Sequence, residues 1–164
     1  MPFGFGRSFT SFGYSGLTLL GAGVGTGTEK TTAGTYAACD DIRLQVTVEN
    51  TGAIDSDEVV QLYTSTPDAS VPAPRVRLAD FARVHIKAGA SATVLLTASP
   101  ATRAVYYQRP PDPTGEDLYT GWKQQVVEKG TLSLFVGGGQ PGYFDGGVAA
   151  NTTITTNTSL ANCA

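Results

Sequence analysis

Apolar and polar residues alternate along most of this chain. In Ile42-Arg-Leu-Gln-Val-Thr-Val-Glu49 the residues Ile42, Leu44, Val46 and Val48 share one parity and Arg43, Gln45, Thr47 and Glu49 the other, so an extended strand would bury one face and wet the other. The same period recurs in Ser91–Thr97 and Thr131–Val136, Glu58–Ser65 reads as a further strand after the turn, and β-branched threonines around Ile154 predict a last strand over 149–157. A first strand is expected near Tyr14–Leu20. Turn chemistry separates these runs: Asn50-Thr-Gly52, the proline-rich Thr66–Pro74, Ala88-Gly-Ala90 and Lys129-Gly130. From Val76 to Lys87 the apolar spacing breaks between Leu78 and Phe81, which predicts a bulge or bend. The segment 101–128, with Arg109-Pro-Pro-Asp-Pro113, reads as loop with a short helical or extended piece.

No window of a dozen residues shows helical spacing, so the chain reads as all-β. About seven amphipathic strands must pair their apolar faces, and the expected architecture is an immunoglobulin-like sandwich of two sheets. A length of 164 residues fits one domain with its own core. Net charge is -3 and only 15% of residues are charged, which argues against a nucleic-acid partner. No apolar run has the length of a membrane span. The opening Met1–Gly16 holds Phe3, Phe5, Phe9, Phe12 and Tyr14 with Arg7 as its single charge, where a secretory signal would have a basic start and an apolar run. No targeting segment is expected there. So many aromatics near a terminus predict a surface that packs against a partner, and the chain divides into a linker-like segment 1–13 and a sandwich 14–164.

The candidate chemistry is sparse. His85 is the single histidine, and in Val84-His-Ile86 it points away from its apolar neighbours. No nucleophile elbow accompanies it, and one histidine with two distant cysteines does not make a zinc set. Neither a catalytic residue, a metal nor a cofactor is assigned. Asp55-Ser-Asp-Glu58 reads as turn-capping carboxylates, and Gly21–Gly27 as a flexible connector. The aromatics Tyr106, Tyr107, Tyr119 and Trp122, and separately Tyr143 beside Phe144, are candidates for stacking on sugar rings or for packing between domains. Cys39 and Cys163 are either one long-range disulfide or two thiols. Asn151-Thr-Thr and Asn157-Thr-Ser are acceptor sequons for N-glycosylation.

Five ordered motifs carry a resemblance that spans essentially the whole chain. They are Pro2-Phe-Gly-Phe-Gly-Arg-Ser-Phe-Thr10, Val46-Thr-Val-Glu-Asn-Thr-Gly52, Asp57-Glu-Val-Val-Gln-Leu-Tyr63, Leu78-Ala-Asp-Phe-Ala-Arg-Val-His-Ile-Lys-Ala-Gly89 and Gly130-Thr-Leu-Ser-Leu-Phe-Val-Gly-Gly138. Together they resemble the C-terminal fibronectin type III-like domain of glycoside hydrolase family 3, which includes β-glucosidases and β-xylosidases. Arg7 and Asp80 stand where that family commonly has Leu and Gly. The resemblance implies a fibronectin type III-like sandwich serving as a non-catalytic accessory module, partnered by catalytic domains that would precede Met1. It further implies that Phe3 and Phe5 face such a neighbour, that a plant-cell-wall-type polysaccharide is a potential partner, and that the location is extracellular or secretory. Retaining hydrolysis needs two carboxyl groups about 5 Å apart across a sugar site, and no such pair is carried over. A free-standing carbohydrate-binding or adhesion domain is the alternative reading.

Overall fold

The computed structural model describes residues 8–20, 30–31, 34–108 and 123–163. Their strands are β1 (Phe12–Leu20), β2 (Lys30–Thr31), β3 (Thr35–Tyr36), β4 (Ile42–Asn50), β5 (Ser56–Ser65), β6 (Arg77–Ile86), β7 (Ser91–Ala98), β8 (Val105–Gln108), β9 (Lys123–Val127), β10 (Gly130–Gly137), β11 (Val148–Ile154) and β12 (Thr158–Ser159). One short helix, α1 (Pro100–Arg103), precedes β8, and a 3-10 turn covers Leu160–Cys163. The fold is an all-β sandwich. Among the described residues the strands of seven or more residues are β1, β4, β5, β6, β7, β10 and β11, and these seven build its two main sheets.

The first sheet has the order β2-β1-β4-β7 and the second β3-β11-β10-β5-β6. Strand β4 is central in the first, with Tyr14 opposite Val48 on one side and Val94 opposite Val46 on the other. Its alternation is realised fully, because Ile42, Leu44, Val46 and Val48 are all 0% exposed. Leu132, Leu134 and Val136 of β10 and Val60 and Leu62 of β5 close the core from the second sheet. Fully burying each such side chain is worth about 1.5–3 kcal/mol, and these inward-facing residues hold the two sheets together.

The spacing break in β6 is a bulge: Leu62 pairs with Asp80 but Tyr63 with Leu78, leaving Ala79 as the extra residue. The slip decides which residues face water. Beyond it Ala82, Val84 and Ile86 turn inward, and Phe81, Arg83 and His85 turn out. Asp80 turns toward the edge of the other sheet, where its carboxylate accepts the free Thr97 amide at 2.8 Å.

The described parts of the segment 101–128 carry regular structure that their sequence does not predict. Pro100 opens α1, where a missing amide costs nothing, and β8 pairs with β9 and β9 with β12 in a small third sheet. Strands such as Val105-Tyr-Tyr-Gln108 are too short to display a period. They are recognisable only once paired.

Candidate functional site

At the end of the sandwich where the chain enters, the described residues present an aromatic ring that the fold does not cover. Phe9 is 93% exposed, yet the segment bearing it is fastened down. The Thr51 amide donates to the Ser11 carbonyl at 2.8 Å, and the Thr10 hydroxyl donates to Asn50 Oδ1 at 2.6 Å. Asn50 is 0% exposed and its Nδ2 donates to the carbonyls of Ile54 and Ile86, so it locks the β4–β5 turn to the incoming chain. Gly52 is required there, since a Cβ would stand 2.1 Å from Thr10 Oγ1. Ile54, at the tip of the same turn, is also exposed.

A second exposed group lies on the outer face of β5 and β6, where cross-strand pairs place Gln61 opposite Phe81, Val59 opposite Arg83 and Asp57 opposite His85. Phe81 is 63% exposed. Asp57 Oδ1 lies 2.6 Å from His85 Nδ1, and Asp57 Oδ2 accepts Arg83 Nε at 2.8 Å. These bonds, that of His85 first, hold the Asp57 carboxyl below its usual range. Asp55 accepts the Ala88 amide at 2.8 Å, as a turn-capping carboxylate does.

Glu58 behaves differently from its neighbours because it points into the end of the core. Its carboxylate and the Tyr14 hydroxyl converge on Gly138, where a Cβ would lie 2.8 Å from Glu58 Oε1 and 3.2 Å from Tyr14 Oη. Phe144 packs edge-on against Tyr14, with ring centroids 5.8 Å apart. The buried Tyr14 hydroxyl is near the carboxylate but outside hydrogen-bond geometry. Burial, then the Glu58 charge, raise its pKa. Burial likewise raises the pKa of Glu58. A carboxyl with a raised folded pKa contributes stability below its unfolded pKa that is lost as pH rises through the folded value. Glu58→Gln is therefore expected to gain stability relative to the unsubstituted chain as pH rises from 4 to 7. The lowered carboxyls of Asp57, Asp68 and Glu128 push the other way in both proteins and cancel in the difference. Urea unfolding of both at several pH values checks this, and a difference independent of pH would refute it.

Of the aromatics singled out from sequence, Phe3, Phe5, Tyr119 and Trp122 lie outside the described residues. Tyr106 and Tyr107 are consecutive on β8 and so face opposite ways; the two do not make one stacking platform. The Tyr106 ring is half exposed and its hydroxyl accepts Gln125 Nε2 at 2.6 Å. Tyr107 instead donates to the Glu128 carboxylate, together with the hydroxyl and the amide of Ser70. Burial pushes Glu128 up, but these donors outweigh it and its pKa falls. The network ties the proline-rich loop to the β9–β10 turn. Neither Ser70 nor Glu128 shows any local pattern that would single it out. Tyr143 is exposed on the loop between β10 and β11.

Cys39 and Cys163 form a disulfide across 124 residues of sequence. Beside Cys39, the guanidinium of Arg103, 3% exposed, donates to the carbonyls of Ala38, Ala98 and Asp40. Burial, opposed by Asp40 and Asp41, lowers its pKa to about 10. Asn151 and Asn157 are both exposed, and Asn157 Oδ1 accepts the Lys129 amide at 2.6 Å. Among the described residues no three His, Cys, Asp or Glu side chains group so as to hold a metal.

Comparison with known proteins gives one consistent setting. The chain is 34% identical over 142 residues to the probable β-glucosidase L of Emericella nidulans, covering 82% of this chain and 17% of that protein. It is 33% identical over 136 residues to a β-xylosidase of Formosa agariphila, covering 83% and 15%, and 28% identical to an exo-α-(1→6)-L-arabinopyranosidase of Bifidobacterium breve, covering 83% and 14%. It thus spans about one sixth of the curated relatives it matches. Among solved structures, the Bifidobacterium adolescentis GH3 β-glucosidase superposes with a TM-score of 0.68 at 25% identity, over 93% of this chain and 18% of that one. A β-glucosidase from Erythrobacter marinus gives 0.68 at 25% identity, over 94% and 17%. Residues 58–140 match the model of the fibronectin type III-like domain, and the chain belongs to that family, as the sandwich module of glycoside hydrolase family 3 proteins.

Proposed function

We propose that this chain is a non-catalytic accessory module that stabilises the catalytic part of a family 3 glycosidase of β-glucosidase or β-xylosidase type. The observation that carries the reading is Phe9, held almost fully exposed on a segment pinned by Asn50 and Thr51. A phenylalanine fixed in water forgoes about 1.5–3 kcal/mol of burial, which a docked neighbour recovers. The relatives, some six times longer than the matched segment, supply such a neighbour. The segment 1–13 is then the approach from that neighbour, its last residues Phe12 and Gly13 already paired in β1, and 14–164 is the module. The disulfide and the exposed sequons support a secretory or extracellular setting.

The test is a chimera in which this chain replaces the matching segment of the Emericella nidulans β-glucosidase L. We expect the chimera to keep its activity to a temperature at least about 5 °C above that of the enzyme lacking the segment, and Phe9→Ser to remove about half of this gain. Equal inactivation temperatures for chimera and deletion would rule the accessory role out. The exposure of Tyr106 and Tyr143 favours a second reading, a free-standing carbohydrate-binding or adhesion domain acting on a plant-cell-wall-type polysaccharide. A saturable fluorescence response of the isolated chain to millimolar xylan oligosaccharides would support that role.

A further inference from the structure

The Phe9 end leaves the outer face of β5 and β6 unexplained. Three successive cross-strand rows, Asp57 with His85, Val59 with Arg83, and Gln61 with Phe81, form a strip leading from the Ile54 turn along the sheet. Strand β6 is the outermost of its sheet, so the strip runs along the outer face at that sheet's edge strand. Phe81 and Val59 are exposed at 63% and 40%, and they are diagonal neighbours across the strands. A sheet face turned to water favours polar side chains, and this one carries an aromatic ring and a valine instead. The flanking charges are ordered: Asp57 binds Arg83 through Nε and Nη2 and His85 through Nδ1, leaving Arg83 Nη1 and His85 Nε2 for another partner. An apolar centre with an oriented arginine at its margin is the composition of a protein-docking patch. Gln61 is already committed, since it receives the Tyr63 hydroxyl and donates to the Gly138 carbonyl, so the row beside Phe81 offers few free polar groups to hold a sugar ring.

We infer that the Phe81–Val59–Arg83 face is a second docking surface for the catalytic part of a family 3 glycosidase, continuous with the Phe9–Ile54 end. The inference rests on the accessory reading above and assigns it a face. The occupant is argued from the five sixths of each relative's length that lies outside the matched segment and from the continuity of the strip with the end at which the chain enters. The partner surface it fits is apolar at its centre, with a carboxylate or backbone carbonyl set to accept from Arg83 Nη1.

The experiment is the same chimera carrying Phe81→Ser with Val59→Ser, and separately Arg83→Ala. The isolated chain with each substitution is melted in parallel. Because these side chains are exposed, the isolated variants are expected to melt within about 2 °C of the unsubstituted chain. The serine pair in the chimera is expected to lower the inactivation temperature by about 5 °C, and Arg83→Ala by about 2 °C. A chimera indifferent to the serine pair, but still sensitive to Phe9→Ser, would overturn this face and leave the accessory role standing. A chimera no more stable than the deletion would overturn both. If the serine pair left the chimera unchanged and abolished binding of xylan oligosaccharides by the isolated chain, the face would belong to a sugar and the inference would fall.

Discussion

Loss of the Cys39–Cys163 disulfide is expected to destabilise the domain by about 5 kcal/mol, the entropy of closing a loop this long in the unfolded chain. The bond spans 124 of the 164 residues, so about three quarters of the unfolded chain lies within the loop it closes. In the folded protein it joins the β3–β4 connection to the 3-10 turn at Leu160–Cys163. That turn packs beside β9 and β12 of the small third sheet. Urea unfolding of the oxidised chain, of the chain under reductant and of the Cys39→Ser, Cys163→Ser double variant would measure the effect. A decrease below about 1 kcal/mol in both reduced forms would show that the cross-link contributes little. A domain of this size has roughly 5–15 kcal/mol in total, so folding in a reducing compartment would leave it near the margin.

The second large effect is expected at Arg103. Its guanidinium, buried beside the disulfide, satisfies three backbone carbonyls, of Ala38, Ala98 and Asp40. Arg103→Ala removes all three donors and leaves a void under α1, at a cost of about 3–5 kcal/mol. Arg103→Lys keeps the charge but lacks the planar fork that reaches carbonyls on both sides, and about half the loss is expected to remain. Thermal unfolding of the two variants distinguishes a hydrogen-bonding role from mere charge. Equal stability of Arg103→Ala and the unsubstituted chain would show that water replaces the guanidinium at no cost. Wherever the accessory reading holds, both losses would also lower the stability of the parent enzyme, because the docking faces hang on this scaffold.

Much of the scaffold was legible in the residues. Strands β4, β7 and β10 read directly from strict alternation, since a side chain every 3.3 Å or so on alternate faces admits one burial pattern, whereas β5 buries the five consecutive residues from Val60 to Thr64. The β6 bulge was legible too, as a break in spacing. The face it leaves outside was not, because the sequence does not say on which side of the slip Phe81 falls. Arg103 was hidden for a related reason. An arginine in an irregular segment ordinarily points to solvent, and only the tertiary fold brings three backbone carbonyls around it. The tyrosines point the opposite lesson: Tyr106 and Tyr107 look like one aromatic platform in the sequence, yet consecutive strand residues diverge, and Tyr107 is occupied by Glu128.

Sequence alone thus determined the all-β sandwich and the family setting, because both rest on local periodicity and ordered motifs that need no partner to be read. Tertiary structure decided which aromatics are covered and which are presented, because exposure depends on what a distant strand, turn or loop places over each ring. Phe12 and Tyr14 pack on the core, whereas Phe9 and Phe81 stand in water. In composition these four differ little. What separates them is the pairing of β1 with β4, which begins at Phe12 and so does not reach Phe9, and the register of β6 on β5, which puts Phe81 on the outer face.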